Sequence, residues 1–270
     1  MIKMNESSVS FGGRRSMRGK VIIITGGSSG MGKHMARRFV QEGASVVITG
    51  RRLEALEDAK QEIGGSVGQV LTVQMDVRNP ELVAEMVART HKEYGKIDAL
   101  INNAAGNFLC PAENLSINGW NSVIDIVLNG TFYCSREVGN YWIRHKQTGS
   151  IINMVTTYAW NAGAGVIHSA CAKAGVLAMT RTLAVEWGRK YGFRVNAIAP
   201  GPIERTGGAE KLVESEEAAK RTLNSIPLGR FGTPEEIAAL ASFLLSNEAA
   251  YINGECITMD GGQWLNQFPF

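Results

Sequence analysis

The residues that could carry chemistry stand in two stretches. The first is "TGGSSGMG", Thr25 to Gly32, between an apolar β-branched run and a segment with helical spacing. A glycine trio in a strand-to-helix turn is a phosphate cradle. Gly26 permits the tight turn, Gly30 lets backbone approach a pyrophosphate, and Gly32 lets the helix pack close. The helix N-terminus then offers free N–H groups and positive partial charge to the phosphates. The second stretch is "HSACAKAG", residues 168–175, where Ser169 and Lys173 stand four apart at the start of a predicted helix. An unassisted serine hydroxyl is a poor acid near neutral pH, so a proton donor must be sought elsewhere. His168 adjoins Ser169 and is given no role, because a single histidine is more often structural than catalytic.

The charge after the second strand bears on which dinucleotide would fit. A site for NAD carries Asp or Glu roughly 20 residues beyond the glycines, to accept from the ribose 2′-hydroxyl. Here that region reads "VVITGRRLE", and Arg51 and Arg52 follow the strand. A 2′-phosphate pairs well with guanidinium and is repelled by carboxylate. The expected cofactor is therefore NADPH, with Arg51 its first contact. Asp76 ends the third predicted strand, where its carboxylate can accept from an adenine amino group.

These groups need a scaffold, and the pattern supplies one. Short apolar runs alternate with helical periodicity from residue 20 onward. Strands are expected in "KVIIITGG", "SVVITG", "VLTVQMDV", "IDALINNAAG", "SIINMVTT", "RVNAIAPGPI" and "ECITMDGG". Helices are expected in "MGKHMARRFVQEG", "RLEALEDAKQEI" and "PELVAEMVARTHKEYG", around 119–146, over 169–189, and in "TPEEIAALASFLLS". Such alternation implies an α/β fold: one doubly wound domain over residues 20–270, its parallel sheet covered by helices on both faces. Residues 1–19 read as a flexible basic arm outside it. Arg14, Arg15 and Arg18 on that arm could alternatively meet a phosphate-bearing ligand or a neighbouring subunit.

Bulk properties exclude other classes. The chain has 270 residues, 44% of them hydrophobic and 20% charged, with a formal charge of +3; so small a charge does not argue for nucleic acid and no such partner is expected, although a local basic patch could meet an acidic ligand. Cys110, Cys134, Cys171 and Cys256 have neither metal-ligand nor redox spacing, so no metal is expected and the thiols read as reduced. No signal peptide and no apolar run near the ~20 residues of a membrane span is evident, which gives a cytoplasmic expectation with no membrane partner.

Taken together, "TGGSSGMG", "NNAAG" (102–106), "KAGV" (173–176), "RVNAIAPGPI" (194–203) and the closing "ITMDGG" resemble the short-chain dehydrogenase/reductase family, from Lys20 to Trp264. The resemblance implies a Rossmann-type fold. It extends the cofactor site to Ser28, Ser29, Met31, Val77 and Asn103, and to Pro200, Gly201 and Ile203. The family centre is Ser–Tyr–Lys. Lys173 matches the lysine, but Ser169 occupies the tyrosine position, and Thr156 stands near the usual serine.

One branch shares this departure. "NNAAGNF", "SACAK" and a tyrosine fifteen residues before the lysine resemble the 2,4-dienoyl-CoA reductases. The resemblance implies that Tyr158 and Asn107 hydrogen-bond the substrate thioester oxygen, while Lys173, oriented by Ser169, holds the cofactor ribose. It points to Arg78, Phe108, Ser116 and Lys211 for acyl-CoA contacts, although Arg78 could equally cap the adenine pocket. "WNAGAGV" (160–166) could line an acyl tunnel or only permit close packing. The family tends to homotetramers. Two other readings compete: a reductase of another enoyl or carbonyl compound with Tyr158 as acid, and a nicotinamide-binding sensor without turnover.

Overall fold

The computed structural model describes residues 17–206 and 216–266. Seven strands form one parallel sheet: β1 (Val21–Thr25), β2 (Ser45–Gly50), β3 (Val70–Gln74), β4 (Ala99–Asn102), β5 (Ser150–Met154), β6 (Arg194–Pro200) and β7 (Cys256–Met259). Their order is β3-β2-β1-β4-β5-β6-β7. The chain steps outward from β1 to β3, then returns to lay β4 on the other side of β1. That reversal opens a crevice beyond the carboxyl ends of β1 and β4, the place where such sheets bind ligands.

The helices are α1 (Gly30–Gln41), α2 (Leu53–Ile63), α3 (Pro80–Tyr94), α4 (Ile117–Ile124), α5 (Gly130–His145), α6 (Ile167–Tyr191), α7 (Glu216–Ser225) and α8 (Pro234–Leu245). They explain why the strands read as continuous apolar runs. In β1, Ile22 and Ile24 join one core with Phe39 of α1 and Ile237 of α8. Ile23 points to the other face and joins Met86 of α3 and Trp142 of α5. A strand buried on both faces has no polar side to alternate with.

Local signals set the helix ends. Pro80 opens α3, Asn79 accepts from Leu82 N at 3.0 Å, and Gly95 closes it in the left-handed region. Thr233 and Glu236 form a reciprocal capping box at the start of α8.

Three expectations change. The folded part begins by Met17, not Lys20: Met17 is fully buried and its N–H donates to Glu42 O at 3.0 Å. Arg18 packs on Gly43 at the end of β1 remote from the crevice, while Arg14 and Arg15 lie outside the described residues. The long helix expected at 119–146 is α4 and α5 joined through a π-helical turn at Asp125–Asn129. Several strands also stop short of their apolar runs. β3 ends at Gln74, β4 at Asn102 and β6 at Pro200, and residues just beyond them turn out to line the crevice.

Among the described residues, no helix is long and apolar enough to cross a membrane, and no group of three or more His, Cys, Asp or Glu could hold a metal ion.

Candidate active site

The glycine turn after β1 is defined by what its backbone touches. Gly26 has φ +64°, and a Cβ there would lie 3.0 Å from Ala104 Cα, on the loop after β4. A Cβ on Gly32 would stand 2.4 Å from Gly26 O, so only glycine lets α1 approach its own turn this closely. Gly27, to which the sequence assigned nothing, packs on Ile48, where a Cβ would sit 2.7 Å from the side chain. Thr25 Oγ1 accepts from Asn103 N and Ala104 N, both at 3.0 Å. Asn103 Nδ2 donates to Thr25 O and Gly26 O, again at 3.0 Å. Asn103 thus lines the site and braces the turn. The first turn of α1 holds no acidic residue, and Ser29 makes no side-chain cap. That leaves the helix N-terminus suited to an anion.

A cleft of about 810 Å³ runs along the carboxyl edge of the sheet. Ser28, Gly30 and Met31 line it at the glycine turn. Arg51, Arg52, Asp76 and Val77 line it beyond β2 and β3, and both arginines are exposed. This end offers guanidinium groups and no carboxylate directly after β2. Arg78 Nη2 donates to Asp76 Oδ2 at 2.6 Å, and Arg78 Nε donates to both carboxylate oxygens at 3.0 Å. These bonds hold the Asp76 carboxyl below its ordinary pKa. Arg78 itself does not line the cleft; it backs Asp76, which does.

The other end gathers Asn107, Phe108, Tyr158, Ser169 and Lys173 around the same cleft. Lys173 is buried on α6 and its Nζ donates to Met154 O, the last residue of β5, at 2.5 Å. Burial lowers its pKa to about 8. Among the described bonds, Lys173 is therefore held by a main-chain carbonyl, whereas the resemblance implied that Ser169 orients it. Tyr158 sits on a short turn, Thr157–Ala159, whose N–H at Tyr158 donates to Thr156 Oγ1 at 3.2 Å. Thr156, near the family's serine position, thus shapes the turn that presents Tyr158. Gly163 lies against the Tyr158 ring, where a Cβ would come within 3.1 Å. Within 160–166, Gly163 thus serves close packing, while Asn161 and Val166 line the cleft.

Phe108 is clasped between two elements. His168 meets its ring edge-on with centroids 4.5 Å apart, and a Cβ on Gly119 would come within 3.1 Å of Phe108 Cζ. His168 is fully buried. Its Nδ1 accepts from Ser169 N at 2.9 Å, which places the proton of a neutral ring on Nε2.

Pro200, Gly201 and Ile203 line the cleft after β6, and Gly201 is pressed on Asp260, where a Cβ would stand 2.6 Å away. Ser116 does not line the cleft; its hydroxyl accepts from Gly119 N at 3.1 Å and caps α4. Gly32 is buried behind the turn. Lys211 lies outside the described residues. Leu109, Ile126, Thr206, Thr222, Gln263 and Trp264, which sequence reasoning missed, also form the wall. Thr206 and Ile126 follow the rule that segments beyond carboxyl strand ends, and the helices facing them, build the crevice. Trp264 carried no signal beyond its position after the last strand.

Known proteins are similar to this chain over most of its length. A family model described as enoyl-(acyl carrier protein) reductase matches residues 26–263. A Bacillus subtilis protein named as a probable 2,4-dienoyl-CoA reductase producing (2E)-enoyl-CoA is 66% identical over 254 residues, covering 94% of this chain and 100% of the relative. The Danio rerio peroxisomal 2,4-dienoyl-CoA reductase, named for a (3E)-enoyl-CoA product, is 42% identical over 247 residues, 91% of this chain and 82% of its own. The crystal structure of a short-chain dehydrogenase from Bacillus anthracis has 68% identity and a TM-score of 0.88, covering 94% of this chain and 100% of that one. With its parallel sheet, its glycine turn and these relatives, the chain is an oxidoreductase that takes a nicotinamide dinucleotide and belongs to the short-chain dehydrogenase/reductase family.

Proposed function

We propose that the protein reduces 2,4-dienoyl-CoA thioesters to enoyl-CoA with NADPH, in the β-oxidation of unsaturated fatty acids. The observation that carries this reading is the grouping of Tyr158, Asn107 and Lys173 on one cleft while Ser169 stands at the position four before the lysine. The names of the relatives support the substrate class.

Bound NADPH would supply a hydride to the distal diene carbon. Arg51 and the glycine turn would hold its phosphates, Asp76 its adenine and Lys173 its ribose. As the diene is reduced, negative charge spreads to the thioester oxygen. Tyr158 O–H and Asn107 Nδ2 donate to that oxygen, an oxyanion-hole function in which each donor is worth roughly 2.7–4 kcal/mol. The site needs no strong acid at Ser169, because the charge rests on an oxygen already held by two donors. A water can return the proton to carbon. Exposed Phe132 on α5 and Val185 on α6 support assembly into a homotetramer through these helices.

The test is NADPH oxidation with 2,4-hexadienoyl-CoA beside a 3-ketoacyl-CoA. Turnover of the dienoyl ester alone is expected. Turnover of the ketone alone would refute the reading and make Tyr158 a general acid.

A further inference from the structure

The cleft has an aromatic wall beyond its donor groups. Trp264 lines it from the turn after β7, beside Gln263 and Thr222 of α7. Hydrogen bonds fix this wall. Trp264 N and Gly262 N donate to the buried Asp260 carboxylate at 2.8 and 2.9 Å. Gln263 Nε2 donates to Ser225 Oγ at 2.8 Å, and Asn266 Nδ2 to Ser225 O at 3.2 Å, which ties the turn to the end of α7. Trp160 meets Trp264 edge-on, with ring centroids 5.9 Å apart and 84° between the planes. Trp160 also ends the short turn that carries Tyr158. The same turn therefore presents a thioester donor and braces the aromatic wall. Trp160 is 38% exposed, so the pair stands at an open mouth and does not seal a closed end.

We infer that Trp264, braced by Trp160, is a side wall for the part of the acyl chain beyond the diene, and that it gives the enzyme a preference for longer dienoyl-CoA esters; this rests on the substrate class proposed above. Indole faces gain by burying methylene groups and offer no cation to the phosphates of coenzyme A. Leu109, exposed on the loop after β4, lines the same cleft and adds apolar surface to it. With the thioester oxygen at Tyr158, a hexadienoyl ester has a single carbon beyond its diene and barely uses such a wall. A decadienoyl ester has a flexible tail that does.

The experiment compares kcat/KM for 2,4-decadienoyl-CoA and 2,4-hexadienoyl-CoA in the unaltered protein, Trp264→Ala and Trp160→Ala. Calorimetric binding of saturated decanoyl-CoA and hexanoyl-CoA is measured alongside, since it needs no turnover. The decadienoyl-to-hexadienoyl ratio should fall about tenfold in Trp264→Ala and less in Trp160→Ala, the scale of a few lost methylene contacts. Decanoyl-CoA should lose more affinity than hexanoyl-CoA. Equal loss at both lengths would place the pair against coenzyme A and overturn the inference, as would an unchanged ratio or one that rises. If Trp264→Ala does not fold, Trp160→Ala and Trp264→Leu carry the same comparison. Absence of turnover on either dienoyl ester, with the decanoyl preference still lost in the variants, would refute the proposed reaction and support the acyl wall.

Discussion

The Lys173 ammonium group donates to the carbonyl of Met154 at 2.5 Å, so the amine of α6 is anchored to the last residue of β5. The anchor fixes where the cation sits, and burial lowers its pKa to about 8. The amine is charged below that value and neutral above it. Turnover that depends on the cation should decline as pH rises through about 8. A Lys173→Met variant should lose most activity and the alkaline limb together; a pH-rate profile checks both. The lowered pKa also means that the folded chain binds fewer protons than the unfolded chain between about 8 and 10.5, so this group makes stability rise with pH across that window.

Cofactor choice should follow Arg51. Arg51→Ala removes a guanidinium from the end of the cleft that lacks a carboxylate after β2. Loss of a charge-assisted bond is worth roughly 1.5–3 kcal/mol, so NADPH should bind about tenfold to a hundredfold more weakly while NADH changes little. Fluorescence titration with both dinucleotides measures the ratio, and an unchanged ratio would rule out a 2′-phosphate contact at Arg51.

Gly32→Ala should damage the cradle without touching a ligand. The added methyl would meet Gly26 O at 2.4 Å and Asn103 Nδ2 at 2.6 Å, and the first of these is backbone. Overpacking of this kind typically costs about 1–3 kcal/mol. Lower thermal stability together with weaker NADPH binding is expected; a variant with native melting and native affinity would contradict the close approach.

A buried polar ladder holds the layers that carry the site. Asn102 of β4 donates to Ser135 Oγ of α5 at 2.9 Å and to Asn153 Oδ1 of β5 at 2.8 Å. Asn153 in turn donates to Thr180 Oγ1 of α6 at 2.9 Å. Asn153→Leu, close to isosteric, strands Asn102 without one of its acceptors and places apolar methyl groups where the amide met Thr180 Oγ1. A loss of about 2–4 kcal/mol in chemical denaturation is expected. A loss well under 1 kcal/mol would mean that water replaces the ladder.

The sheet, the glycine turn and the arginines after β2 were legible because each rests on local chemistry: β-branched runs, glycine where no Cβ fits, and the charge that follows a strand. Helix α7 was not, because "EEAAKRTLNS" has few apolar residues to mark a face. The pairing of Arg78 with Asp76 was half legible, as two neighbours whose bidentate geometry only the loop conformation decides. The Asn102–Asn153–Thr180 ladder left no pattern, since its members are far apart in sequence and each alone resembles a surface residue. Trp264 is held at the cleft by its ring contact with Trp160 and by the bond of its neighbour Gln263 to α7, and neither can be read from spacing.

The central claim is that Tyr158, with Asn107, holds the thioester oxygen and that Ser169 is not the acid. The direct measurement is kcat on 2,4-hexadienoyl-CoA for Tyr158→Phe, with the NADPH dissociation constant determined on the same preparation. A fall in kcat of roughly 10²–10³ with NADPH affinity nearly unchanged is expected, the effect of removing one oxyanion donor. Native turnover, or an equal loss of turnover and NADPH binding, would show that Tyr158 is only part of the wall and would contradict the account.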